Sequence, residues 1–561
     1  MASLTNIVAL LTPTNSLYLL LYHRFITLKK RIIFFLLLAG FLSLAASGRA
    51  GFIEVSGAVS GVWQSDTVKV MNHIEIRSAD TLYIRPGVTV LFCGAYHFAV
   101  HGRLIARGSV SHPVVFTAAD TTGFHNDTLP LGGWRQIRVE SLSPGVDSVV
   151  FDYCRFEYGK AIDSDSIHGY GGALCIRNTD KVVVTHSEFI NNYAFFNGGA
   201  IYLHQAPIAI SGSRFIANRC GQATVYYGYG GALCSDSSAA HISQNYFHMN
   251  SSTGIGGGLC VRFADCNISR NIFDDNYSAL GGGLGMLHID TCYATINNNL
   301  VVNNSAMFFG GGISNGNCSP TYVNNTIVAN HCEGGGGGFY CKDSVVPVLV
   351  NNILYHNTQY GGDTNQVYLW DFLSQPDFYY NDIQGGAGAF AGTGGADFHG
   401  AFEHNMDADP RFENDTYLPG ENSPCINAGD PDTTGLMIAP YDLAGLQRII
   451  DDTIDIGAYE WQLPTAIATN RFTDKLPQLH LYPNPVASTL KLEVGMPATG
   501  QVTLTLTDLR GNLIEELFEG HLNAGIHQFS HQVSTMQPGL YLVVCTTWGR
   551  TLVEKVTVSG K

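Results

Sequence analysis

The chain has 561 residues, too many for one ordinary domain, with 63 glycines, 14% charged residues and 11% aromatics. Glycine weakens helices, so this mix suits turn-dense β structure. Lys and Arg number 30 against 46 Asp and Glu, a net charge of −16. An acidic body without basic tracts excludes nucleic acid as a partner.

Residues 1–50 read as a signal peptide with an N-terminal extension. Lys29-Lys30-Arg31 precede an apolar run from Ile32 to Leu44, and "AASGRA" supplies the small residues of a cleavage site. The run falls short of the roughly 20 residues of a membrane span. Cleavage is expected near Ser47 or Ala50, the alternative being an uncleaved anchor; both readings export the remainder.

Residues 51–165 are expected to open a solenoid. "DTLYIRPGVTVLF" (80–92) alternates Leu82, Ile84, Val88 and Val90 around Pro86-Gly87, and "GGWRQIRVE" (132–140) reads as a further strand. A solenoid end must be capped, and residues 53–75 are assigned that role.

Residues 166–400 carry two repeating markers. The aliphatic or aromatic residue after a glycine pair recurs at Leu174, Ile201, Leu233, Leu259, Leu284, Ile313 and Phe339, in steps of 25 to 32. Asparagines that follow an apolar residue by three recur at Asn192, Asn218, Asn250, Asn276, Asn304, Asn330 and Asn357, in steps of 26 to 32. Both keep one register. A period near 26, with short alternating segments between the markers, predicts an all-β fold: a parallel β-helix in which each repeat forms one rung. Equivalent residues then form columns, and the asparagines form a side-chain ladder. The period is expected to fade after Asn357.

Alternation in "GGAIYLH" (198–204) puts Ile201 and Leu203 inside and Tyr202 and His204 outside. Cys175, Cys234 and Cys260 share the outward column with Tyr202, Gly285, Ser314 and Tyr340. Zinc needs converging ligands, usually close Cys pairs, and no CxxC is present, so these cysteines read as structural.

Residues 401–463 are expected to close the helix. "SPCINAGDPD" (423–432) and "DIGAYEW" (455–461) bring Asp430, Asp432, Asp451, Asp452 and Asp455. No cofactor is expected. Calcium is the alternative for these aspartates, against the turn chemistry that Asp-Pro and Gly-Asp ordinarily supply. Residues 464–478 form a linker, and the alternating strands of residues 479–561 a small immunoglobulin-like β-sandwich.

These motifs carry resemblances. The glycine-led and "FxxN" repeats resemble right-handed parallel β-helices of the pectin-lyase-like superfamily, and also the repeats of chlamydial adhesins. "SPCINAGDP" with "DIGAYEW" resembles the end of choice-of-anchor Q surface proteins of Bacteroidota. Tyr482-Pro483-Asn484-Pro485, Gly539, Tyr541 and Lys555 resemble a type IX secretion sorting domain. That last resemblance implies passage through the outer membrane by the type IX machinery, removal of the tail by its sortase, and attachment to surface lipopolysaccharide.

Function is read from the outward columns. One holds the cysteines and tyrosines above; the next holds Arg177, His204, Asp236, Arg262, Leu287, Gly316 and Lys342. With only one carboxylate, they lack the paired acids of a glycoside hydrolase and the acid cluster of a calcium-dependent lyase. Asp236 and Arg262 are expected to pair. Tyr202, His204, Asp236, Arg262 and Tyr340 are assigned to a shallow face that binds an extracellular polysaccharide or host glycan. The expected function is glycan binding or adhesion at the cell surface. The alternative is a lyase or hydrolase acting on an acidic polysaccharide. Asp274-Asp275 is expected to lie in a solvated turn.

Overall fold

The computed structural model describes residues 51–462 and 477–558, apart from 143, 144, 147, 164–167, 223–226, 288–292, 414, 415, 483–485, 487, 497, 509–512, 524, 534, 535, 538, 548 and 549. The signal-peptide residues 1–50 and most of the linker lie outside the described residues.

Each turn of the coil carries three strands that stack in parallel on those of the next turn. In one turn these are Leu174–Arg177 (sheet 1), Val182–Thr185 (sheet 2) and Glu188–Ile190 (sheet 3), and the two-residue strand Tyr193–Ala194 then leads to the next turn. Sheet 2 runs through 13 strands, from Gly61–Trp63 to Phe402–Glu403. In sheet 1 the register is Leu174 to Ile201 to Leu233 to Leu259, the column expected from the glycine marker.

Inside, like side chains stack. Phe116, Phe156, Phe189, Phe215, Phe247 and Phe273 form a column with ring centroids 4.7–4.9 Å apart and planes within 3–7°. Rings at the rung spacing meet face to face and exclude water. The two glycines of each pair serve different ends. Gly198 and Gly230 have φ of +66° and +69°, a region that L side chains rarely adopt. A Cβ on Gly199 would run into the carbonyl oxygen of Gly231 on the next rung.

The asparagines form a ladder after sheet 3. Each residue before them is left-handed: Asn191, Ala217, Met249, Asp275, Asn303, Ala329 and His356 have φ of +52° to +56°. That turn aims the following Asn inward, where its Nδ2 donates to the Oδ1 of the next rung's Asn at 2.9 Å from Asn192 through Asn357. A second ladder occupies the corner between sheets 2 and 3. Asn245, Asn271, Asn299, Asn325, Asn352, Asn381 and Asn405 repeat the pattern at 2.9–3.0 Å.

Two expectations change. Residues 53–75 are no separate cap: Phe52–Ala58 and Thr67–Ile76 pair in parallel as the first turns, with Trp63 buried. After Asn357 the glycine marker fades while the coil runs on: Val367–Leu369, Asp377–Tyr379 and Asp382–Ile383 add a turn in which Gln366 leads the sheet 1 strand. Asp274 ends a strand, where it accepts a bond from Tyr246 Oη at 2.8 Å, and only Asp275 turns.

The closing segment runs back along the outside of sheet 3. Asn324 Nδ2 donates to Asp455 O at 2.7 Å, Gly457 N to Asn351 O at 2.8 Å, and Ala458 N to Thr326 Oγ1 at 2.9 Å. Its Phe412, Tyr417, Leu443, Cys425 and Ile456 cover Leu300, Val302, Val328 and Ile353. Within it, Arg448 is fully buried, with Nε 3.7 Å from Glu460 and Nη2 bonded to the carbonyls of Asp455 and Gly457.

The tail forms two antiparallel sheets. One comprises Gln478–Tyr482, Thr489–Met496 and Gly525–Gln532; the other Gly500–Thr507, Leu513–Leu522, Gly539–Thr547 and Arg550–Val558. Leu490, Leu492, Val494, Val502, Leu504, Val543 and Val556 make a shared core, as sheet-on-sheet packing requires.

Candidate functional site

Sheet 1 aims two columns away from the core, and they differ in what covers them. The first runs from Glu75 and Ala99 through Arg138, Cys175, Tyr202, Cys234, Cys260, Gly285, Ser314 and Tyr340 to Tyr368. From Cys175 to Tyr340 this column is buried under a second layer. In five of the seven repeats the layer is a large residue just before the glycine pair, lying over the next rung; Asn197 and Gly335 stand there in the other two. Tyr170 packs on Tyr202 with centroids 4.5 Å apart, and Phe309 stacks on Tyr340 at 5.0 Å. A Cβ on Gly285 would strike Ile255. Tyr229, Ile255 and Leu280 bridge to one another as a ladder of their own.

Tyr202 and Tyr340 are therefore 5% and 3% exposed, beneath the surface rather than on it. Cys175, Cys234 and Cys260 are free and buried. Burial pushes the Cys175 thiol up to about 12. Cys318 is disulfide-bonded.

The second column is the more open one. His204, Asp236 and Arg262 lie on successive rungs. Asp236 Oδ2 accepts from Tyr202 Oη at 3.1 Å and from Arg262 Nη1 at 3.2 Å, and His204 Nδ1 stands 4.0 Å from Oδ1. The guanidinium lies 4.5 Å from the Tyr229 ring centroid, a cation–π contact that fixes its plane. Burial moves the Tyr202 hydroxyl far up, with Cys234 and then Asp236 adding to it, so Tyr202 remains a donor. Burial lowers His204 against the opposing pull of Asp236. The structure thus joins Tyr202, His204, Asp236 and Arg262 in one network. Tyr340 belongs to a separate aromatic cluster further along.

Sequence reasoning missed the upstream end of this face. Arg138 shares the Cys175 column, and its Nε is buried without a hydrogen-bond partner. His73 and His97 stack at 4.0 Å nearby. Burial, then Arg138, pushes His97 down to about 4, so it is neutral at physiological pH. The quoted strand "GGWRQIRVE" already places Arg138 in that column.

Of the aspartates considered for calcium, the carboxylates of Asp430, Asp432 and Asp455 accept from backbone N–H groups. Asp455 accepts from the backbone of Asn427 at 2.7 Å and of Trp461 at 2.5 Å, and Asp432 caps Thr434 at 3.0 Å. Asp430 donates its own N–H to Asn351 Oδ1 at 2.8 Å, while Asp451 and Asp452 sit in left-handed turns. Among the described residues no group of three His, Cys, Asp or Glu is placed to hold a metal ion.

In the tail, Tyr482 ends the first strand of its sheet, opposite Lys491. Gly539 opens the strand whose Tyr541 Oη donates to Gln537 O at 2.8 Å, and Lys555 lies on the last strand. Pro483, Asn484 and Pro485 lie outside the described residues.

Residues 480–559 match the model of the secretion system C-terminal sorting domain, and residues 145–327 that of the right handed beta helix region. No curated protein matches the chain. Among solved structures, the chain is similar to the enzymatically active domain of tailspike protein 4 of bacteriophage CBA120, at 11% identity and a TM-score of 0.17, over 86% of this chain and 62% of that one. The sorting domain makes this a substrate of the type IX secretion machinery, exported to the cell surface or released.

Proposed function

We propose that the exported β-helix binds glycans at the cell surface, through the second outward column of sheet 1. One observation carries this reading. Asp236 fixes Tyr202 and Arg262 within 3.2 Å on neighbouring rungs, beside His204 and the half-buried ring of Tyr229. Polar groups with set directions next to a flat ring suit a ligand whose edges carry hydroxyls and whose faces are apolar. A lyase would need a free base near neutrality; Tyr202 stays protonated and Arg262 is paired, which leaves His204 as the one member of the network that could take a proton. The resemblance to choice-of-anchor Q proteins supports a Bacteroidota source, and the sorting tail supports sortase removal with attachment to lipopolysaccharide.

The test incubates the exported protein with neutral polysaccharides and polyuronides, with and without calcium. It follows retention on immobilised glycan, new reducing ends and ultraviolet absorbance of unsaturated uronides. Retention without cleavage is expected, weakened by Arg262→Met combined with His204→Ala. New ends or unsaturated products would overturn the reading in favour of an enzyme.

A further inference from the structure

Trp370 follows Leu369, which pairs with Cys341, so it stands beside Lys342 in the same open column as His204, Asp236 and Arg262. It is 49% exposed, and Phe372, two residues on, is 55% exposed. The Trp370 ring is supported from below. Phe309 meets it edge-on at 5.4 Å, Tyr368 lies 6.4 Å away, and Phe309 is itself stacked on Tyr340. The turn that follows is pinned by Asp371, whose carboxylate accepts from the backbones of Leu373, Ser374 and Asp343 at 3.1, 3.0 and 2.8 Å. An exposed indole held this way is already ordered before any ligand arrives, which lowers the entropy lost on binding.

We infer that Trp370 and the rings beneath it form a second sugar subsite, which takes the pyranose faces of a neutral polysaccharide lying along the axis of the coil. This deepens, and rests on, the glycan-binding reading above. The charge around the ring selects the class. Asp371 and Asp343 lie beside it, and the nearest cation, Lys342, is 3.2 Å from Asp343 and so already paired. At the other end Arg262 is paired to Asp236. The negative charge of these carboxylates repels uronates, and the chain's net charge of −16 adds to that repulsion. A protein partner would need an interface of about 1,200 Å² or more, whereas this platform is Trp370, Phe372 and Leu373 bordered by acids.

The spacing selects the length. From Arg262 the column passes Leu287, Gly316 and Lys342 to Trp370. At the strand spacing that is about 19 Å, further than a disaccharide reaches.

The test titrates the exported protein with cellohexaose, mannohexaose, laminarihexaose and the galacturonate hexamer, and with the disaccharide of each, by calorimetry and Trp fluorescence. At least one neutral hexasaccharide is expected to bind more tightly than its disaccharide. Trp370→Ala should weaken it about tenfold, and Trp370→Phe should restore most of the loss. Circular dichroism checks that the half-exposed substitution leaves the coil intact. Unchanged neutral binding in Trp370→Ala, or binding of the galacturonate hexamer alone, would overturn this inference and leave glycan binding standing. Silence of the unaltered protein toward every saccharide would overturn both.

Discussion

Replacing Asn276 by alanine tests what holds the coil in register. Its Oδ1 accepts both the backbone N–H of Asn250 at 3.0 Å and the Nδ2 of Asn250 at 2.9 Å. Its Nδ2 donates to Phe247 O and to Asn304 Oδ1, each at 2.9 Å. Alanine removes all four bonds and leaves two buried donors of Asn250 with no acceptor. At about 1–3 kcal/mol for each buried unsatisfied group, the expected loss is about 4 kcal/mol. Asn192, at the start of the ladder, supplies an internal control. Among the described residues its Oδ1 accepts only from Gly159 N, at 2.9 Å, so Asn192→Ala strands one donor and should cost about half as much. Solenoid stability is a sum of neighbouring rungs, so the assay is native-state hydrogen exchange of residues 240–280, read against urea. A loss below about 1 kcal/mol, or equal losses at the two positions, would refute the ladder as a set of obligate hydrogen bonds. Asn276→Asp should be worse than alanine at neutral pH, because it turns a carboxylate toward two acceptors, and should recover in acid.

Three further outcomes are expected. Burial pushes Glu460 up to about 8 against the pull of Arg448. The folded state therefore holds this proton more tightly than the unfolded chain does. Its contribution is complete below the unfolded value of about 4.3 and is lost as pH rises through the folded one. Exchange protection of residues 425–461 should fall across that window and lose part of its pH dependence in Glu460→Gln, the buried Asp442 and Asp455, also raised by burial, supplying the rest; an unaltered slope would refute the assignment. Gly199→Ala should lower the melting temperature, by an overpacking penalty of about 1–3 kcal/mol, because the new methyl meets the carbonyls of Gly231 and Arg219; an unchanged melting temperature would contradict it. Lys160 Nζ donates to the carbonyls of Gly123, Asn126 and Leu131 at 3.3, 2.8 and 2.8 Å, so Lys160→Met should expose residues 121–132 to proteolysis, and equal cleavage rates would show that the ammonium does not hold the loop.

The rungs, the first ladder and the sandwich were legible because period and alternation are properties of the chain itself. The second ladder was not, because its corner carries Ser187 and Ser213 before asparagine takes over at Asn245. Their Oγ atoms accept the same upstream backbone N–H that the Asn Oδ1 accepts later, at 3.1 Å for Cys154 onto Ser187 and 3.0 Å for Ser213 onto Asn245. The position is constant although the residue type is not. The path of the closing segment also left a trace. The outward positions of sheet 3 run Glu188, Arg214 and Tyr246, then turn apolar at Leu300, Val302, Val328 and Ile353, where that segment lies.

Alternation tells which way a side chain leaves a sheet, but not whether a second layer waits outside it. That is why Tyr202 and Tyr340 read as surface residues and are not. Yet the layer has its own marker. Tyr170, Tyr229, Ile255, Leu280 and Phe309 each stand immediately before a glycine pair. The first glycine turns the chain at positive φ, and its large predecessor folds over the neighbouring rung. Cysteine, glycine and serine occupy the column beneath because little room remains there, and tyrosine enters only where a ring above can stack on it, as Tyr170 and Phe309 do. Small residues in the first column and chemically varied ones in the second follow from that single packing constraint, which leaves the second column as the face that can meet a ligand.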